Sequence, residues 1–398
     1  MAAQRSDAPT RRNDLKITHQ PSQKAMILNR GLEGIVAAET RLGEVKGEEG
    51  ILFYCGYDIN ELATKTTFEE VVYLLWHNRL PNTFELNQLR TALRAERELP
   101  QGVVDFLLHA PKSARPIDVM RTAVSMLGCY DTLRSEVTMP ENQQIAIKLV
   151  AQIGIIAAWF HRARNGLPLT PIRRDLDEAA HFLWLITGEE PSAEASRTLD
   201  VSYILHAEHG FNASTFTGRV VASTLSDMYS SISAAIGALK GPLHGGANEG
   251  VIQMLQEIGD LEGVDSYIDE ALSQKRKIMG IGHRVYKVLD PRAPHLREMA
   301  IRLSNELGEP KWIQMSERIA QVMKEKKGLN ANVDFYSATV YYSLGVPTDL
   351  FTPIFAIARM AGWTAHVLEQ LADNKLFRPL SAYNGRPFPQ KVVPLADR

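Results

Sequence analysis

The sequence predicts a mostly α-helical protein of two lobes, with a small β-hairpin region near its amino terminus. Three observations lead there. From Thr66 onward, apolar residues recur with helical period almost without interruption. Glycine or proline punctuates nearly every boundary, including Gly188, Gly210, Gly259, Gly308 and Pro347. The chain has 398 residues, 45% of them hydrophobic, enough for a large core and for more than one compact lobe.

The first thirty residues are polar, carry several Arg and Lys, and lack the apolar segment of a secretory signal. Asp7, Asp14 and the missing amphipathic stripe favour a disordered tail over an organellar transit peptide. Between Gly31 and Ala63, short apolar runs separated by glycine turns predict one or two small hairpins. Thr67 and Glu70 have capping-box spacing, and Phe68, Val71, Val72, Leu75 and Trp76 follow on one helical face. Pro81 closes that helix, and Leu86, Leu89 and Leu93 set the period of the next. Further helices are predicted over 116–127, 141–165, 173–187, 191–209, 214–226 and 229–239, then over 246–258, 264–276, 292–307, 311–326, 333–344 and 348–372. No fixed-period repeat or low-complexity tract interrupts them.

Composition excludes several function classes. Net charge is −2, so nothing global recruits nucleic acid or an anionic membrane. The longest uncharged apolar run, Leu149–Phe160, is too short to span a bilayer, which needs roughly 20 residues. The only two cysteines, Cys55 and Cys129, lie far apart, which fits a reducing compartment and no thiolate metal site. Against this neutral background, "KRKIMGIGHRVYKVLDPR" (Lys275–Arg292) holds six cations, one histidine and a single acid. Glycines 280 and 282 there suggest a main chain that approaches an anion.

Other stretches could carry chemistry. In "GALKGPLHGGANEG" small residues flank His244 in a tight turn feeding a helix N-terminus, where a histidine tends to stay neutral and donate a hydrogen bond. A packed histidine in a glycine-rich connection is the plainer alternative. Asp334 opens an apolar helix, either as a capping acid or as a general base. His206 and His209 in "HAEHGFNAST" fall at i, i+3 on one predicted helical face. With no HExxH and no further ligand cluster, a polar site for a small anion, including Asn212, is favoured over a metal pair. Arg359 sits in a strongly apolar helix, where a buried arginine calls for an anion; Arg378 lies in the polar C-terminal segment and reads equally as a surface arginine. Histidines, one carboxylate and several arginines, without a Ser or Cys nucleophile, suit a substrate with several carboxylates and carbon–carbon bond formation through an enol or enolate.

These motifs, in this order, resemble the citrate synthase family, including 2-methylcitrate synthases. The resemblance runs from about Gly31 to the C-terminus and rests on "GPLHGGANE", "GIGHRVYKVLDPRA", "NVDFYSATVYYSLGVPTDLFTPIFAIARMAGWTAHVLEQ" and "RPLSAYNG". It implies a two-domain helical fold: residues 31–245 with 346–398 as the large domain, and 246–345 as the small one. It implies His244 as hydrogen-bond partner of the acetyl thioester oxygen, His283 as the group that polarises the ketone of oxaloacetate, and Asp334 as the base. His209, Asn212, Arg292, Arg359 and Arg378 would bind oxaloacetate, with Arg378 supplied by a neighbouring subunit of a homodimer or larger homo-oligomer. The Lys277, Ile278, Met279, Gly280, Ile281 and Gly282 backbone would cradle coenzyme A, with Arg284 and Lys287 near its phosphates.

No cofactor or metal is expected, acetyl-CoA being a substrate, and no nucleic acid or membrane partner. The expected location is cytoplasmic, or alternatively an organelle matrix. Alternatives are a 2-methylcitrate synthase taking propionyl-CoA, a dual enzyme, a metal-dependent acyl-CoA lyase, and a non-catalytic assembly-forming paralogue. One departure stands out: the hairpin motif often reads "YRGY" in this family and here reads "YCGY", with Cys55 in place of arginine.

Overall fold

The structure, a computed structural model, describes residues 28–132 and 138–398. The expected disordered tail falls almost wholly on residues 1–27, outside the described residues. Thr40–Phe377 form one compact unit; the residues up to Glu39 with Arg378–Arg398 form a second. In that second unit two short 3-10 turns, Arg30–Leu32 and Leu395–Asp397, interrupt extended chain. It exposes large apolar side chains, among them Leu380, Phe388, Val392 and Leu395.

The larger unit begins with a three-stranded antiparallel sheet, β1 (Gly43–Lys46), β2 (Ile51–Tyr54) and β3 (Tyr57–Asp58), so two hairpins form as expected. Cys55 and Gly56 make the second turn with φ of +48° and +86°, the twist a two-residue hairpin needs. The Cys55 thiol donates to the Leu42 and Leu74 carbonyls, and burial pushes it up to about 12. It is a packing group, not a reactive thiol.

The remainder is helical. Asp58 caps α1 (Ile59–Lys65), and the Thr67–Glu70 capping box starts α2 (Phe68–His77) as its spacing predicts. Asn78, in the left-handed conformation, ends α2 before Pro81 is reached. A second capping box, Asn82–Glu85, opens α3 (Thr83–Ala95). The next helix, α4 (Gln101–His109), was not predicted: it is short, starts without a side-chain cap and carries Gly102, Val103 and Val104, poor helix formers. Then come α5 (Pro116–Tyr130), α6 (Met139–Arg164), α7 (Glu178–Thr187), α8 (Ala193–His206), α9 (Ala213–Ala222) and α10 (Met228–Leu239). After them follow α11 (Ala247–Ile258), α12 (Val264–Ser273), α13 (Ala293–Leu307), α14 (Lys311–Lys327), α15 (Val333–Ser343) and α16 (Phe351–Ala372). Helix α7 starts five residues later than predicted, because Asp177 is its cap.

Two helices organise the core. Helix α6 is long and apolar enough by composition to cross a membrane, but two-thirds of its apolar window is buried against neighbouring helices. Helix α16 is buried continuously from Phe351 to Leu368 and packs on α2, α6, α8, α9, α10 and α11. Phe355, Arg359, Gly362, Trp363 and His366 recur at i, i+4, i+7, i+8 and i+11, one face of α16. That face meets the end of α8. A Cβ on Gly362 would lie 2.3 Å from the Ala207 carbonyl oxygen and 2.7 Å from Glu208 Oε2. We therefore expect Gly362→Ala to force the helix off this loop, destabilising the fold by about 3 kcal/mol. Thermal unfolding checks this; an unchanged Tm would show that the contact can relax.

Candidate active site

The site is assembled from four segments of the larger unit. The first is the turn after α8. Contrary to the expected helix through residue 209, α8 ends at His206, so His206 and His209 do not share a helical face. His206 is fully buried; its Nδ1 donates to the Ser202 carbonyl at 2.8 Å, which leaves Nε2 as the acceptor. Burial, with Arg292 nearby, pushes its pKa down to about 3, so it stays neutral. Glu208, also fully buried, accepts the Gly210 N–H at 2.5 Å and lies 3.0 Å from His366 Nε2 on α16. That anchors the turn holding His209. Asn212 caps α9 by accepting the Ser214 and Thr215 N–H groups.

The second segment is the loop between α10 and α11, which holds His244. The expected tight turn before a helix N-terminus is present, with Gly245 N–H donating to the Leu239 carbonyl. His244 Nε2 lies 2.8 Å from Ser214 Oγ, which also receives Trp363 Nε1–H at 3.2 Å and lies 2.7 Å from Asn212 Oδ1. Ser214 and Trp363 were not singled out from sequence. Burial, with the Arg359 cation, lowers the His244 pKa to about 4. The Phe355 ring packs edge-on against it, with ring centroids 6.2 Å apart.

The third and fourth segments are laced together. The glycine turn 280–282 hydrogen-bonds to 330–332, the lead into α15: Asn332 N–H to Gly280 O at 2.9 Å, Gly282 N–H to Asn330 O at 2.8 Å, and Asn332 Nδ2 to Gly282 O at 2.8 Å. Gly280 has φ of +73°, and a Cβ there would sit 2.9 Å from the Phe335 Cα. Asn332 also caps α15 by accepting the Asp334 N–H at 3.0 Å. His283 and Asp334 are thus fixed relative to one another through backbone. His283 Nδ1 accepts the Val285 and Tyr286 N–H groups, both at 3.0 Å, so a neutral His283 carries its proton on Nε2. Its ring centroid is 5.6 Å from that of His209. Within the glycine turn's flanks Ile278 is buried, while Lys277, Arg284 and Lys287 are exposed and Met279 and Ile281 half-buried.

Two arginines complete the set. Arg292, 3% exposed, is clasped by the single acid of the basic stretch: Asp290 Oδ1 accepts its Nε at 2.9 Å and Oδ2 its Nη2 at 2.8 Å. Asp290 Oδ2 also accepts the Val333 N–H at 3.2 Å, tying Arg292 to the start of α15. Although burial alone would raise Asp290, the Arg292 charge holds its carboxyl below the usual range. Arg359, 1% exposed, donates Nε–H to the His206 carbonyl at 2.6 Å and stacks over Phe355 at 4.9 Å. Among the described residues no carboxylate lies within ion-pair distance of it, and burial lowers its pKa to about 10. Arg378 is exposed and belongs to the other unit.

The electrostatics are consistent across the group. His209 is depressed well below its ordinary value by burial, Arg292 and Arg359, and His283 to about 4 by burial and Arg292. Asp334 is raised to about 6 by burial, against the lowering pull of Arg292 and Arg359; its buried Oδ1 has no hydrogen-bond partner among the described residues. Neutral imidazole donors, one carboxylate poised near neutrality and two buried cations form an arrangement suited to proton abstraction and oxyanion stabilisation on a polyanionic substrate.

Comparison with known proteins places the chain. The family model for the citrate synthase C-terminal domain matches residues 31–380. "Citrate synthase 2" of Bacillus subtilis is 49% identical over 374 residues, covering 94% of this chain and all of that protein. The "2-methylcitrate synthase" of Shewanella oneidensis is 44% identical over 369 residues, covering 92% and 97%. Among solved structures, the citrate synthase of Pyrobaculum aerophilum superimposes with a TM-score of 0.88 at 38% identity, over 96% of this chain and 100% of that one. The Thermoplasma acidophilum citrate synthase, solved as a ternary complex with carboxymethyl coenzyme A and oxaloacetate, gives 0.86 at 32% identity, over 93% and 99%. The chain belongs to the citrate synthase family.

The Asp290 clasp generates a prediction. Asp290→Asn would leave a buried guanidinium without its anion, and we expect a loss of about 3–5 kcal/mol. Thermal unfolding beside the wild type measures it; an equal Tm would mean that another group neutralises Arg292.

Proposed function

We propose that the protein condenses oxaloacetate with acetyl-CoA and hydrolyses the resulting thioester to citrate and CoA. The observation that carries this reading is the poise of the site: an aspartate raised to about 6 shares a cluster with histidines held neutral. In this reading Asp334 takes the methyl proton of the acetyl group. Its carboxylate alone is too weak a base, so the developing enolate oxygen must be met by a donor. His244 supplies it from Nδ1–H when the Ser214 hydroxyl donates its hydrogen bond to Nε2 in place of Asn212 Oδ1. Asn212 Oδ1 then keeps the two backbone N–H groups it already accepts.

The nucleophilic carbon then attacks the ketone of oxaloacetate. His283 donates from Nε2, polarising the carbonyl and protonating the new alkoxide. Arg292 offers the donors that Asp290 leaves free. Arg359, buried without a carboxylate, gains an anion when the substrate's carboxylate arrives. Arg378 would come from a second copy of the chain; the exposed apolar residues of the C-terminal segment support a homodimer. The 277–282 backbone with Arg284 and Lys287 would receive coenzyme A. Hydrolysis has to proceed with water otherwise excluded, and closure of residues 246–345 over the substrates would provide that.

A second reading, propionyl-CoA as the acyl donor, is favoured by one observation: a relative named 2-methylcitrate synthase is as similar, at 44% identity, as two named citrate synthase. One methylene discriminates by only roughly 1–3 kcal/mol, so a few side chains decide it.

CoA release from oxaloacetate with either thioester tests both readings. We expect turnover with acetyl-CoA and a kcat lower by roughly 10³-fold in Asp334→Ala. Release of equal size with propionyl-CoA moves the assignment to 2-methylcitrate, and no release with either sinks it. The pH profile offers a separate check. A base raised to about 6 is active when ionised, so kcat/KM should fall on the acid side through an apparent pKa near 6. A flat profile between pH 5 and 7 would rule Asp334 out as the titrating base.

A further inference from the structure

Tyr286 is a buried residue of the basic stretch to which the sequence assigns no role, and it touches His283, His209 and Arg292. It is 3% exposed. Its backbone N–H donates to His283 Nδ1 at 3.0 Å. Its ring lies 4.7 Å from the His283 ring at 45° and 5.6 Å from the His209 ring at 71°. The Arg292 guanidinium carbon stands 5.9 Å over the same ring. Its phenol oxygen is 3.3 Å from His209 Nε2, the one hydrogen-bond contact of that hydroxyl among the described residues.

Two tautomers of a neutral His209 are compatible with that distance. If Nε2 carried the proton, it would donate to the phenol oxygen. The phenol proton would then have no acceptor in a buried setting, and Nδ1 would offer only a lone pair to an incoming anion. If Nε2 is bare, the phenol donates to it, and the one donor left over is Nδ1–H on the half-buried His209. The second arrangement moves the spare donor from the buried phenol to the half-buried ring and leaves that ring able to bind an anion.

We propose that Tyr286 is a positioning residue that sets the tautomers of both substrate-facing histidines, His283 through its backbone N–H and His209 through its phenol. The inference rests on the reading of this site as one for an α-keto dicarboxylate. It assigns Tyr286 a part in recognising that substrate and none in taking up the acyl-CoA.

The test uses the full chain labelled with 15N-histidine, wild type and Tyr286→Phe. The Phe variant keeps the buried ring and removes only the hydroxyl, so the fold is preserved. Long-range 1H–15N spectra report which imidazole nitrogen holds the proton, with His209 assigned by the loss of its signals in His209→Gln. We expect His209 protonated on Nδ1 in the wild type and a mixture of tautomers in Tyr286→Phe. In steady state, KM for oxaloacetate should rise about tenfold in the variant while KM for acetyl-CoA stays within about twofold, the size expected for one hydrogen bond to a charged ligand. An Nε2-protonated His209 in the wild type, or an unchanged tautomer or unchanged oxaloacetate KM in Tyr286→Phe, overturns the proposal. A wild type that shows the Nδ1 tautomer, loses it in Tyr286→Phe and yet turns over no oxaloacetate upholds the role of Tyr286 in setting the tautomer and overturns the substrate reading instead.

Discussion

Two guanidinium groups are buried in one site and only one carboxylate is paired with them. Arg292 and Arg359 are 3% and 1% exposed, and Asp290 clasps the first. A buried cation is costly unless it is met by an anion or by oriented dipoles. For Arg359 the structure supplies a carbonyl and an aromatic face. Arg359 therefore stays without a paired carboxylate among the described residues, and an anion reaching it would meet a buried cation.

The same buried cations shape the ionisation of their neighbours. Cations nearby oppose any further positive charge, so together with burial they hold His209, His244 and His283 neutral. Neutral imidazoles can donate to a developing oxyanion without giving up a full proton early. Asp334 feels burial and the cations in opposite directions, and burial prevails. Its carboxyl therefore ends close to neutrality, where a base can be ionised at working pH and still accept a proton.

The scaffold's part is to hold these groups at fixed separations. Helix α16 does so from beneath, with Phe355, Arg359, Gly362, Trp363 and His366 on one face against the end of α8. The lacing of 280–282 to 330–332 does so from the side, since hydrogen bonds between two main chains leave His283 and Asp334 little room to shift. Both devices depend on a glycine that lets backbone approach another chain segment closely: Gly362 against the Ala207 carbonyl and Gly280 against Phe335.

By itself the sequence determined the helical class and most helix positions, because period and caps are local properties; residue type singled out His244, His283, Asp334 and Arg359 as candidates, and the family resemblance added Arg292. It missed α4, whose first turn lacks a side-chain cap, and extended α8 past His206, since the apolar period does not mark where a helix yields to a polar turn. Asp290 was visible only as a lone acid among cations, and Ser214, Trp363 and Tyr286 carried no local signal. Their partners lie far along the chain: 149 positions separate Trp363 from Ser214, and 77 separate Tyr286 from His209. Which atom of each histidine holds the proton, and which arginine finds a carboxylate, follow from such distant contacts. Only the tertiary structure decided them, because a hydrogen bond between remote residues exists once packing has brought its donor and acceptor within about 3 Å.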